Sequence, residues 1–178
     1  TMLFWLERFV RNKLTSLSNR QVNEKDKLAA ILKKLALGTK NIQELEILAK
    51  EARNIGLVGI NTYFNPLLKL YNFSLNLGLA SMKEFDEELL SDFLASETSS
   101  LSDATKKNHR IALLAFFSYI DKQNETSDGN SYLFKIELKN WQGLSGKSGS
   151  KLPSFMNEDE VNRFLNAIDS FDFSENLA

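Results

Sequence analysis

At 178 residues with 43 % apolar side chains, the chain can build one core, or one core and part of a second. It has no cysteine and one histidine, which excludes disulfides and thiolate metal sites and argues against structural zinc. Net charge is only −1, no run approaches the ~20 apolar residues of a membrane span, and no signal-peptide pattern opens the chain, so a cytoplasmic protein is expected.

Helical spacing dominates the first two thirds. Leu3, Leu6, Phe9, Val10 and Leu14 form one stripe, with Arg8, Arg11 and Lys13 on the other side. Residues 19–37 predict a second helix with Val22, Leu28, Ile31, Leu32 and Leu35 inward and Gly38 as its stop. Residues 41–55 predict a third, with Ile42, Leu45, Leu48, Ala49 and Ala52 inward and Gly56 closing it. Asn61 is the expected N-cap of a fourth helix that runs to about Asn76 and ends at Gly78. Pro66 then falls in the first turn or just beyond, where a missing amide is tolerated. Leu67, Leu68, Leu70, Tyr71 and Leu75 make its buried side. Ser81 and Glu84 have capping-box spacing for a fifth helix, and the acidic turn through Glu88 suits the positive end of a helix dipole.

The sixth helix is the most informative stretch, Ser100 to Gln123, SLSDATKKNHRIALLAFFSYIDKQ. Ser102 is the expected N-cap. Lys106, Lys107, His109 and Arg110 cluster within about a turn and a half, and Ile111 to Ile120 is almost wholly apolar. Such a helix buries its C-terminal half and offers its N-terminal half to something negative.

Beyond Lys122 the pattern breaks. Asn124 to Ser131 is polar and holds the turn signal Asp128-Gly129. Tyr132, Phe134, Ile136 and Leu138 alternate and predict a short extended segment. Residues 143–150, GLSGKSGS, read as a flexible linker. Asn157 then caps a short helix with Val161, Phe164, Leu165 and Ile168 as its stripe. The acidic run Glu158, Asp159, Glu160 suits a helix N-terminus better than a metal, because consecutive helical residues point in different directions. The expected organisation is a domain over 1–142, a linker over 143–151, and the truncated start of a second domain over 152–178.

The near-neutral total conceals strong segregation: +6 over residues 1–80, −5 over 81–101, +3 over 102–151 and −5 over 152–178. A phosphate responds to the local patch, so the low total does not exclude a nucleic acid. The alternative is a helical protein–protein interaction module whose charge-segregated faces meet a complementary partner.

Two motifs carry a family resemblance. The pair GINTYFNPLLKLYNF (Gly59 to Phe73) and SLSDATKKNHRIALLAFFSYI (Ser100 to Ile120) resembles the second and fourth helices of the core-binding domain of tyrosine site-specific recombinases, the phage-integrase family. LPSFMNEDEVNRFLNAID (Leu152 to Asp169) is similar to the phrase that opens their catalytic domain. The segments LTSLSNRQV and ARNIGLVGINTY make the likeness closest to Xer-type recombinases that act alone. The implied fold is all-α: a SAM-like core-binding bundle of about six helices, a linker, and the first helix of a truncated catalytic domain. One departure is that residues 20–56 intervene where the family joins its first helices closely.

The resemblance implies a protein that breaks DNA with a tyrosine nucleophile, aided by Arg, Lys and His residues of the catalytic domain. This chain is expected to stop before them, and so to bind DNA without cleaving it and without a cofactor or metal. Consistent with that, His109 is followed directly by Arg110 rather than in His-x-x-Arg spacing, and Tyr63, Tyr71, Tyr119 and Tyr132 read as packing aromatics. Carried over by position, the DNA-binding candidates are Asn61, Thr62, Asn65 and Lys69 on one helix. On the other they are Ser102, Thr105, Lys106, Lys107, His109 and Arg110, with Lys139, Lys147 and Lys151 following the backbone along the linker. Lys and Arg neutralise phosphates, Asn, Arg and His reach base edges, and capped helix N-termini favour phosphate. Arg8, Arg11 and Lys13 are weaker candidates. The implied partners are a double-stranded recombination site, other protomers in a tetramer, and a DNA translocase for the whole enzyme, acting in chromosome-dimer resolution. No membrane and no small-molecule ligand is expected.

Overall fold

Each apolar stripe finds a helix to bury it. In the computed structural model, which describes residues 1–17, 22–125, 134–139 and 162–163, six α-helices follow in order: α1 (Met2–Leu17), α2 (Lys25–Leu37), α3 (Ile42–Asn54), α4 (Ile60–Asn76), α5 (Glu87–Glu97) and α6 (Asp103–Gln123). Among the described residues there is no strand, and no helix is long and apolar enough to cross a membrane. The chain divides into two compact units, Thr1–Gly146 and Lys147–Ala178. In the second, the described residues are Asn162 and Arg163, both helical and exposed.

In the first unit α1 and α4 form the middle. α2 and α3 pack on one another and on α1, with α3 also against α4, whereas α6 packs on α1, α4 and α5. The core is continuous through all six helices. Phe9 of α1 anchors an aromatic cluster, its ring 5.5 Å from Phe116, 5.7 Å from Tyr119 and 6.0 Å from Tyr63. These edge-to-face pairs add about 0.5–1.5 kcal/mol each beyond their area. Tyr63, Tyr71 and Tyr119 are all partly buried against the core, the packing role expected of them; Tyr132 lies outside the described residues.

The two helices within residues 20–56 are part of this core. Leu28, Ile31 and Leu35 of α2 and Leu45, Leu48 and Ala52 of α3 are buried in the same cluster as Leu6, Phe9 and Leu67. Buried Glu7 of α1 ties the α2–α3 turn down by accepting from the Thr39 amide at 2.9 Å and from its hydroxyl. Asn41 caps α3 by accepting from the Glu44 amide at 2.9 Å. Gly38 and Gly56 end α2 and α3 at φ +93° and +112°, conformations that β-carbons disfavour.

Several boundaries differ from the sequence reading. The second helix starts at Lys25, and Val22 to Glu24 lie outside it. Asn61 is not an N-cap: α4 begins at Ile60 behind Gly59, nucleated by turns from Leu57, Val58 and Gly59 to the amides three residues on. Pro66 therefore sits in the second turn, buried, and cannot donate to the Thr62 carbonyl four residues back. Leu75 is 58 % exposed rather than buried. The Ser81–Glu84 capping box forms, but on a short 3-10 turn, Met82–Glu84. Phe85 then turns extended and buries itself, so α5 starts afresh, capped by Asp86 accepting from Leu89 at 2.8 Å. The Asp128-Gly129 turn, the linker over 143–150, the Asn157 cap and the acidic run 158–160 all lie outside the described residues.

The extended segment is not a strand. Phe134 to Lys139 forms an irregular strap across α5 and α6, with Lys135 and Leu138 left-handed at φ 49° and 51°. Its amides are taken in pairs by carboxylates: Asp121 accepts from Phe134 and Lys135, both at 2.9 Å, and Glu87 from Glu137 at 3.0 Å and Leu138 at 2.5 Å. Consecutive amides pinched by one anion are a nest. Phe134 lies 4.9 Å from Phe117, and Leu138 is fully buried.

Candidate nucleic-acid interface

α4 and α6 pack against each other more extensively than any other pair of helices. Between them lies a groove of about 480 Å³ lined by Asn61, Thr62, Asn65, Pro66, Leu68 and Lys69 from α4 and by Thr105, Asn108 and His109 from α6. Six sequence candidates, Asn61, Thr62, Asn65, Lys69, Thr105 and His109, thus meet on one surface. Thr62, Asn65 and Lys69 are exposed; Asn61 and Thr105 are half-buried.

The start of α6 is well built. Ser102 caps it by accepting from the Thr105 amide at 3.3 Å, and the two hydroxyls lie 2.8 Å apart. Ser102 itself is exposed, so the first turn of the helix presents its amide end outward, an arrangement that favours anions.

The cationic cluster does not stay together. Lys107 is exposed, but Lys106 and His109 are 9 % and 5 % exposed. This corrects their reading as outward-pointing residues. Positions 106 and 109 continue the stripe of Leu113, Phe116, Phe117 and Ile120 back toward the helix start, so helical rotation turns both toward the core. The lysine stem can lie along apolar surface while its head finds polar company.

His109 has a defined tautomer. Its Nδ1 is 2.8 Å from the Thr105 carbonyl oxygen, which can only accept, so Nδ1 carries the proton. Nε2 is left as a buried acceptor without a hydrogen-bond partner. Burial pushes the imidazole below its ordinary value of 6.5, the Thr105 bond opposes this, and the positive charge of Lys69 adds to it.

Arg110 is half-buried and turns away from the groove. Its Nε donates to the Leu138 carbonyl at 3.2 Å and its Nη2 to the Glu137 carbonyl at 3.1 Å, so the guanidinium clasps the strap. Lys139 forms an exposed ion pair with Glu137 at 2.9 Å, and that bond, then the charge of Glu137, raises its pKa. Lys147 and Lys151 lie outside the described residues. Of the weaker candidates, Arg8 lies over the Phe4 ring at 4.2 Å, Lys13 over the Tyr63 ring at 4.7 Å, and Arg11 is exposed on α1.

One groove residue went unnoticed in the sequence. Asn108 is exposed and lines the α6 side. It sits between cations that drew attention, yet its helical phase places it on the flank of the buried stripe, on the side that meets α4.

A family profile described as the phage integrase SAM-like domain matches residues 1–124, which takes in all six helices, α2 and α3 included. The tyrosine recombinase XerH of Campylobacter jejuni is 50 % identical over 176 residues, covering 99 % of this chain and 49 % of the relative. The XerH of Helicobacter pylori is 45 % identical over 180 residues, covering 97 % and 49 %. The solved structure of XerH bound to palindromic difH substrate, a post-cleavage complex, matches with a TM-score of 0.73 at 46 % identity, over 96 % of this chain and 48 % of that one. The pre-cleavage complex of XerH bound to difH substrate matches with a TM-score of 0.70 at 44 % identity, over 96 % and 47 %. The chain spans about half the length of the curated relatives it matches. It belongs to the phage integrase SAM-like domain family, and within it the likeness is to Xer-type tyrosine recombinases.

Proposed function

We propose that this chain is the part of an Xer-type recombinase that grips double-stranded DNA, laying the α4–α6 surface into the major groove. The observation that carries this reading is the convergence of Thr62, Asn65, Lys69 and Asn108, all exposed, around one groove, with Lys107 also exposed on α6. Lys69 and Lys107 neutralise phosphates, the Ser102-capped start of α6 takes another, and the polar groove residues face base edges. The major groove, about 12 Å wide, admits a helix at this depth.

Lys106 and Arg110 have a different role in this reading. Lys106 is largely buried and Arg110 is committed to the strap, so both support the surface from behind. In the whole protein, DNA cleavage and rejoining belong to the half that this chain does not span. Site-specific recombination by a tetramer, chromosome-dimer resolution, activation by a DNA translocase and a cytoplasmic location are parts of the same proposal.

Fluorescence anisotropy of a labelled duplex at several salt concentrations tests it. Binding is expected at low salt, weakening steeply with added salt by roughly one counterion per phosphate contact. No binding at low salt overturns the reading and favours a protein-interaction module instead.

A further inference from the structure

Resting on the DNA-binding reading, we infer that Asn65 of α4 and Asn108 of α6 form a specificity pair that reads adenine, so that the groove selects A·T base pairs. Both side chains are exposed, both line the same groove from facing helices, and neither amide makes a hydrogen bond among the described residues. A carboxamide that donates and accepts side by side matches adenine, which offers an N6 donor beside an N7 acceptor. Guanine offers two acceptors on that edge and calls for a cation with two donors. Arg110 of α6, which carries such a fork, is held by the Glu137 and Leu138 carbonyls, and Lys69, the cation in the groove, is the phosphate contact of the reading above.

A further feature of the groove fits the same base pair. Thr62 and Leu68 supply methyl groups beside the amides, suited to the 5-methyl of the paired thymine.

The test is selection from a randomised duplex pool by the full 178-residue chain, followed by affinity measurement on the recovered sequence. The wild type is expected to recover A·T at one or two adjacent positions. Replacing that adenine with 7-deazaadenine, which removes only N7, should weaken binding roughly tenfold, and this arm needs no change to the protein. Asn65→Ala with Asn108→Ala should abolish the preference, lowering affinity for the selected duplex to that for a duplex with G·C at those positions. The pair assignment is overturned if the double variant still selects A·T there, if 7-deazaadenine binds as well as adenine, or if the wild type recovers G·C. Loss of all duplex binding by the wild type would instead sink the DNA-binding reading beneath it.

Discussion

Arg110 Nε lies 3.2 Å from the Leu138 carbonyl oxygen, a bond that joins residues 28 apart in the chain. It makes a residue of α6 the clasp of the strap. With the nests closed by Glu87 and Asp121, it holds a segment that has no neighbouring strand among the described residues. Arg110→Ala should cost about 1–2 kcal/mol, the scale of hydrogen bonds to a charged donor at a half-exposed site. Hydrogen exchange should show faster amides at Glu137 and Leu138. Arg110→Lys should not restore protection, because a point charge cannot span two carbonyls as a planar fork does.

Acid should weaken the fold through His109. Its pKa is depressed by burial, so below the ordinary value of 6.5 the unfolded chain takes up a proton that the folded one refuses. The contribution is intact above that pH and is lost as pH falls. Urea unfolding at pH 7.5, 6.5 and 5.5 should show stability dropping across the last interval. His109→Gln, with nothing to titrate there, should show a flatter profile over the same range; parallel profiles would assign the acid sensitivity elsewhere.

Salt dependence should separate the lysines. Lys69→Ala and Lys107→Ala should each reduce the slope of log affinity against log salt by about one and weaken all duplexes alike. Lys106→Met keeps an apolar stem of similar length on the buried face and should leave the slope unchanged. Anisotropy titrations between low and moderate salt measure all three.

The aromatic cluster should dominate stability. Phe9 is 1 % exposed and touches rings from α4 and α6. Phe9→Ala should cost about 3–5 kcal/mol, a large share of the roughly 5–15 kcal/mol that domains possess. Denaturant unfolding would report it as a fall in midpoint with little change in slope.

How much of this was legible beforehand depends on which force set each feature. The six stripes were readable because burial follows helical period, and Gly38, Gly56 and Gly78 marked their stops. The start of α4 was misplaced because backbone turns from Leu57 onward nucleate it before any side chain can cap it. Alternation over Tyr132 to Leu138 resembled a strand, since nothing local reveals that Glu87, some 50 residues earlier, would capture those amides. In the groove, the grouping of Asn61, Thr62, Asn65 and Lys69 on one face of α4 was readable. Charge alone misjudged α6: Lys106 and His109 followed their helical phase inward, and uncharged Asn108 followed its phase outward.

Burial of the α2–α3 pair has a consequence for anyone trimming this domain. A shortened version would splice residue 17 to residue 58. It would remove the two helices that pack on α1, leaving Glu7 without Thr39. Such a miniature should aggregate rather than fold, so the two helices are ribs of the hull and not cargo on its deck.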